Sequence, residues 1–194
     1  MGKKWAILPF ILMIPVFMAS CSKKDVEYRI VKKEVRKNPD SASAHRNLAY
    51  FYDRHKMCEK AIEEYKITLK LRPGDFISLN NTAQCYYKMG KYEEAREIFE
   101  KLKEKHVKNS VLRSNLAMVY HKLERYGEAV AEYEKALELN PRNDYAKEGY
   151  KILKEELDLK KIDLGELKKE KKPEAEETQT EEKARESEEE GEKE

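Results

Sequence analysis

Residues 42 to 75 read ASAHRNLAYFYDRHKMCEKAIEEYKITLKLRPGD, and this stretch decides the fold because it recurs. Leu48, Ala49 and Tyr52 fall at helical spacing, Ala61 and Tyr65 follow one helix later, and Pro73 closes the unit. Thirty-four residues on, Leu79, Thr82, Ala83 and Tyr86 precede Ala95 and Phe99. A further 34 on, Leu116, Ala117 and Tyr120 precede Ala129, Tyr133 and Pro141. The units 42–75, 76–109 and 110–143 therefore align without insertions over 102 of 194 residues. A fixed period of this length is the signature of a stacked array.

Two helices per unit follow from the residue types. Small side chains recur where helices must approach closely, at Ala49, Ala83 and Ala117 and again at Ala61, Ala95 and Ala129. Aromatics recur one turn away, as Tyr52, Tyr86, Tyr120 and Tyr65, Phe99, Tyr133, and fill the space the alanines leave. Ser41, Asp75, Asn109 and Asn143 lie 34 apart, and each can accept the orphan N–H groups of a helix start. Pro39, Pro73 and Pro141 stop the preceding helix. Val107 stands at the equivalent place in the second unit, which predicts a longer or looser helix at that junction.

This pattern resembles the tetratricopeptide repeat. The resemblance implies an all-α, right-handed superhelical solenoid of helix-turn-helix repeats that presents a concave groove to a peptide. Because one repeat cannot bury its own apolar face, the ends need covers. Residues 25–38 are expected to form the front cap, with Ile30, Val31 and Val35 inward. Residues 144–172 are expected to form a closing helix and an extension that continues the helix or frays, with Tyr145, Ile152, Leu153 and Leu157 as the apolar side. Residues 173–194 hold eleven Glu, three Lys or Arg and no apolar residue but alanine, so they read as a disordered acidic tail.

The amino end reads differently. Met1 to Lys4 are basic, Trp5 to Met18 form an apolar run of fourteen residues, and Ala19, Ser20 and Cys21 follow. A membrane span needs about 20 apolar residues, so residues 1–20 suit an export signal better. Met18-Ala19-Ser20-Cys21 resembles a bacterial lipobox. That resemblance implies cleavage before Cys21, a lipid on its sulfur, and a short tether over 21–24. The lipid would anchor the mature chain to a membrane of the bacterial cell envelope, facing the periplasm or the exterior. The alternative is a cytosol-facing adaptor held by an uncleaved anchor, but positive charge before the apolar run argues for the amino end inside.

Charged residues make up 40% of the chain, against about 25% in an average globular protein. The net +2 conceals a tail near −8 and a middle, 21–172, near +8. Basic residues Lys23, Lys24, Arg29, Lys32, Lys33, Arg36 and Lys37 follow the proposed lipid site and could meet anionic headgroups. The acidic tail and the export signal argue against nucleic acid as a partner. Catalysis finds no support, since the four histidines lack metal-protease spacing and the seven glycines form no phosphate loop. No cofactor, metal or small-molecule substrate is expected. Cys58 and Cys85 form no CxxC pair and read as small packing residues, with a disulfide between them as an alternative. His45 stands in a large-apolar slot and reads as a packed residue.

The family resemblance assigns the groove to the first helix of each repeat. It implies Arg46, Asn47, Tyr50, Asp53 and Arg54 from the first unit, Asn80, Asn81, Gln84, Tyr87 and Lys88 from the second, and Ser114, Asn115, Met118, His121 and Lys122 from the third. Asn47, Asn81 and Asn115 form a ladder whose amides could hold an extended peptide backbone. The carboxylate clamp of the same family, which grips chaperone tails, fits poorly. Val111 and Asn115 replace its basic residues and Tyr50 replaces its first Asn, which leaves only Arg46 and Asn81 compatible. The expected function is that of a membrane-anchored, non-enzymatic scaffold that binds a peptide or helix of a partner protein in envelope assembly or secretion.

Overall fold

The computed structural model describes residues 23–169, and within them every regular element is a helix. The leader, Cys21 and the acidic tail lie outside the described residues. In order, the elements are α1 (Lys23–Lys37), α2 (Ala42–Arg54), α3 (Cys58–Leu71), α4 (Phe76–Lys88), α5 (Tyr92–Lys105), α6 (Ser110–Lys122), α7 (Tyr126–Leu139), α8 (Asp144–Lys160) and α9 (Leu164–Lys169). Helices α2–α3, α4–α5 and α6–α7 are hairpins, and each stacks on the next through α3 against α4 and α5 against α6. The fold is an all-helical solenoid. No helix among the described residues is long and apolar enough to cross a membrane.

The helix starts are where the caps place them. Side chains of Ser41, Asp75, Asn109 and Asn143 accept from the backbone N–H of Ala44, Ser78, Leu112 and Ala146. Each satisfies a donor that the first turn leaves without a partner. Inside each hairpin the chain turns through a left-handed residue, and these also lie 34 apart: Lys56, Gly90 and Glu124. Only the middle one is glycine, so two side chains accept a conformation that disfavours them.

All six recurring alanines are fully buried, and Tyr65, Phe99 and Tyr133 pack beside them at 1% exposure or less. Helix axes close to this degree only where no side chain extends past Cβ, which is why the small positions recur with the period. One apolar core runs through the second and third repeats to α8, and a smaller one joins the first repeat to the second through Ala49, Cys58, Ala61, Ile62, Tyr65 and Cys85. Cys58 and Cys85 are buried free thiols. His45 is packed as expected, its ring held between the Glu64 carboxylate (2.6 Å) and the Pro39 carbonyl (2.9 Å). A buried carboxylate, Glu132, ties α7 to both α5 and α6 through Lys103 (2.8 Å) and Arg113 (2.7 Å).

Four expectations are corrected. Ile30 is 63% exposed, because α1 packs chiefly on α2 and its covered apolar stripe is narrow, limited to Tyr28, Val31 and Val35. Tyr28 takes the inward role, with its ring 5.5 Å from Phe51 and 6.2 Å from Tyr52. The Val107 junction is neither longer nor looser: α5 has fourteen residues like α3 and α7, and the Arg113 side chain donates to the Val107 carbonyl. Tyr145 and Ile152 of α8 are exposed while Leu153 and Leu157 are buried, so its apolar residues divide between two faces. Finally, over its described residues, 162–169, the extension neither continues α8 nor frays. Lys161 turns left-handed, and α9 folds back against α7 with Ile162, Leu164 and Leu167 packed on the core.

Candidate functional site

Helices α2, α4, α6 and α8 occupy equivalent places in the stack, and the open surface they share is the candidate site. Between α4, α6 and α8 lie two adjoining cavities of about 470 and 390 Å³ that share Tyr87, Met118 and Tyr145. The larger is completed by His121, Lys122, Asp144, Glu148 and Ile152, among others, and the smaller by Gln84, Lys88, Val111 and Asn115.

Exposed apolar residues of these helices follow the period. Ile77, Val111 and Tyr145 lie 34 apart, and they are 51%, 54% and 78% exposed. Met118 and Ile152 form a second row, also 34 apart, which begins at Tyr50 and Gln84. Of these, Val111, Met118, Tyr145 and Ile152 come together around the two cavities, unlike the scattered apolar side chains any protein shows. Val111, Tyr145, Glu148 and Ile152 were missed from the sequence. Extending the 34-residue register one helix beyond the third repeat would have placed Tyr145 and Ile152 with Val111 and Met118.

The three asparagines of the ladder sit in three different settings. Asn81 donates to the Tyr65 hydroxyl at 3.1 Å and accepts from Asn80 at 3.1 Å, so its amide already bonds the preceding repeat. Asn115 faces Phe99, which has no hydroxyl. Its amide reaches Asn80 only at 3.5 Å and lines the smaller cavity. Asn47 is exposed on α2. The fourth rung is Gly149, where the Tyr133 ring takes the space a side chain would need: a Cβ there would lie 2.7 Å from two ring carbons. Burial pushes the Tyr133 hydroxyl well above its ordinary range, so it is neutral at any physiological pH.

Other implied groove residues serve the scaffold. Arg46 donates to Asp75 at 2.9 Å and bonds the first repeat to the cap of α4. Burial opposes the charge of Asp75, but bonds from the Ser78 backbone and hydroxyl and from Arg46 outweigh it and hold the carboxyl below its ordinary value. Ser114 is buried, and its hydroxyl donates to the Val111 carbonyl. Tyr50 belongs to a separate cavity with Asp53, Arg54 and Lys88. His121 bonds Glu156 at 2.7 Å, whereas Lys122 and Gln84 stay open to the groove. Glu156 also accepts from Lys160 and Tyr126, and bonds from Lys160 and His121 lower its carboxyl to about 2.

The groove therefore has an apolar floor at one end and few free polar groups. Tetratricopeptide repeat family models match residues 76–106 and 111–143. The chain is a tetratricopeptide repeat protein, and its first repeat, over 42–75, has the same hairpin and cap. Among solved structures, the Sgt2 domain of this family from Aspergillus fumigatus is 26% identical, over 60% of this chain and 79% of that one, with a TM-score of 0.56. MamA from Desulfovibrio magneticus RS-1 is 18% identical, over 77% and 88%, with a TM-score of 0.60. The first such domain of Spaghetti (RPAP3), bound to the HSP90 peptide SRMEEVD, is 21% identical, over 60% and 92%, with a TM-score of 0.56. No curated protein gives a significant match.

Proposed function

We propose that this chain is a non-enzymatic scaffold that holds a peptide or helix of a partner protein in its concave groove. The observation that carries this reading is the exposed apolar surface of Val111, Tyr145 and Ile152, which line two open cavities together with the half-buried Met118. Full burial of one such side chain contributes about 1.5–3 kcal/mol, so three or four anchors suffice for a specific contact. Binding in the manner of a chaperone-tail clamp is disfavoured. Its two compatible residues, Arg46 and Asn81, are already bonded to Asp75 and Tyr65.

In the same proposal, lipid on Cys21 holds the protein at a membrane of the bacterial envelope, where it serves assembly or secretion. The lipobox-like Met18-Ala19-Ser20-Cys21 supports this, and confinement to a surface would raise the effective concentration of a partner there. The described fold begins at Lys23, so a lipid on Cys21 would keep the solenoid close to the headgroups.

Photo-crosslinking in intact membranes tests the groove. A crosslinker at Ile152 should trap a partner, while one at Lys135, exposed on a second helix of the array, should not. Equal trapping from both positions would remove the groove from the proposal. Fatty-acid labelling tests the anchor separately: Cys21→Ala should abolish both label and processing, and an unlabelled wild type would refute lipidation.

A further inference from the structure

Where the first repeat meets the second, three donor atoms converge. The Asp53 carboxylate, the Cys58 thiol and the Cys85 thiol come from α2, α3 and α4, and their ligand atoms all lie within 4.8 Å of one another. Asp53 Oδ1 is 3.3 Å from Cys85 Sγ and 4.0 Å from Cys58 Sγ. Zinc bonds of about 2.3 Å to sulfur and 2.0 Å to oxygen place neighbouring donors of a tetrahedron about 3.5–3.8 Å apart. The three atoms thus already outline one face of such a site.

The period shows that this is a departure from the rest of the array. In the next two joints the positions of Cys58 and Cys85 are held by Tyr92 with Val119, and by Tyr126 with Leu153. Two thiols replace a large pair at one joint only, and a cavity of about 650 Å³ opens beside them. Asp53 and Cys58 line it together with Glu59, Lys88 and Met89, so the joint can be reached although the thiols are 5% and 0% exposed.

We infer that Asp53, Cys58 and Cys85 form a zinc(II) site that clamps the first repeat to the second. The fourth position faces the cavity and takes water or the Glu59 carboxylate. Binding exchanges two thiol protons for two Zn–S bonds and leaves no redox change: Zn²⁺ and two thiols give the bis-thiolate and two protons. Without the metal, Lys88 donates to the same Asp53 oxygen at 2.6 Å. Its ammonium is exposed enough to move to the outer oxygen when the cation enters. A disulfide would use the same sulfurs but gives no role to Asp53.

The test uses the reduced full chain, exposed to zinc chloride, dialysed and analysed for metal. Cys85→Val copies Val119 of the next repeat and Asp53→Asn keeps the side chain's shape, so both should fold. Cys21 is present throughout and cancels. Wild type should retain one zinc per chain and melt higher with zinc than without. Cobalt(II) should give a thiolate charge-transfer band. Cys85→Val should lose the band and bind at least about 100-fold more weakly, with Asp53→Asn weakened less. Three results would each overturn the site: no metal retained by wild type, equal retention by Cys85→Val, or recovery of the two thiols as a disulfide that takes up no zinc.

Discussion

Asn143→Ala is the substitution whose cost the structure makes most specific. Sequence assigns Asn143 the same cap role as Ser41 and Asn109, so sequence alone predicts three equal losses. In the fold, Ser41 caps Ala44 and otherwise meets only Ser43, and Asn109 caps Leu112 alone. Asn143 caps Ala146 and also donates to the Ser110 carbonyl (3.2 Å), the Ser110 hydroxyl (2.7 Å) and the Ser114 hydroxyl (3.4 Å). All of this is buried: Asn143 is 5%, Ser110 8% and Ser114 1% exposed. Loss of a cap costs about 1 kcal/mol. A buried group left without its partner adds about 1–3 kcal/mol. Asn143→Ala should therefore cost about 2–4 kcal/mol, against about 1 kcal/mol for Ser41→Ala or Asn109→Ala. In a domain of this size 1 kcal/mol shifts Tm by about 2–4 °C, so the separation should be several degrees. Thermal melts followed by far-UV circular dichroism, with hydrogen exchange on α8, would read it. If Asn143→Ala melts no lower than Ser41→Ala, the bonds to Ser110 and Ser114 contribute nothing net and the reasoning fails.

Two other outcomes follow from the same packing. Gly149→Ala gains about 1 kcal/mol of helix propensity but drives a methyl into the Tyr133 ring, at an overpacking cost of about 1–3 kcal/mol. It should lower Tm slightly, Tyr133→Phe should recover part of that loss, and strictly additive variants would exclude the contact. Glu156 has a carboxyl depressed to about 2, and Asp75 and Glu100 lie below their ordinary values. Groups lowered in the folded state stabilise it at every pH above their unfolded values and lose that contribution as pH falls through the folded ones. Tm should hold down to about pH 4.5 and fall toward pH 2, and Glu156→Gln should flatten the fall; a pH-independent Tm would contradict it.

The helical hairpins, their caps and the buried alanines were legible because each repeats every 34 residues and each rests on a local cause. A cap needs only the N–H groups three residues on, and a small residue only a neighbouring axis. The groove was legible in part. Gln84, Tyr87, Asn115, Met118, His121 and Lys122 line the adjoining cavities, while Ser114 and Asn81 serve the frame. Whether an asparagine is free depends on one atom in another helix, the hydroxyl that Tyr65 has and Phe99 lacks. That pairing joins residues sixteen apart whose contact exists only once the hairpins have stacked.

Sequence by itself determined the repeat, its two helices, the positions of caps and alanines, and the all-α class. Tertiary structure decided which way α8 faces, that α9 folds back on α7, and that Asp53, Cys58 and Cys85 meet at one joint. The physical reason is range. Propensity, capping and periodicity act within a few residues and are written in the chain, whereas these three outcomes depend on packing between helices that only the closed stack brings together.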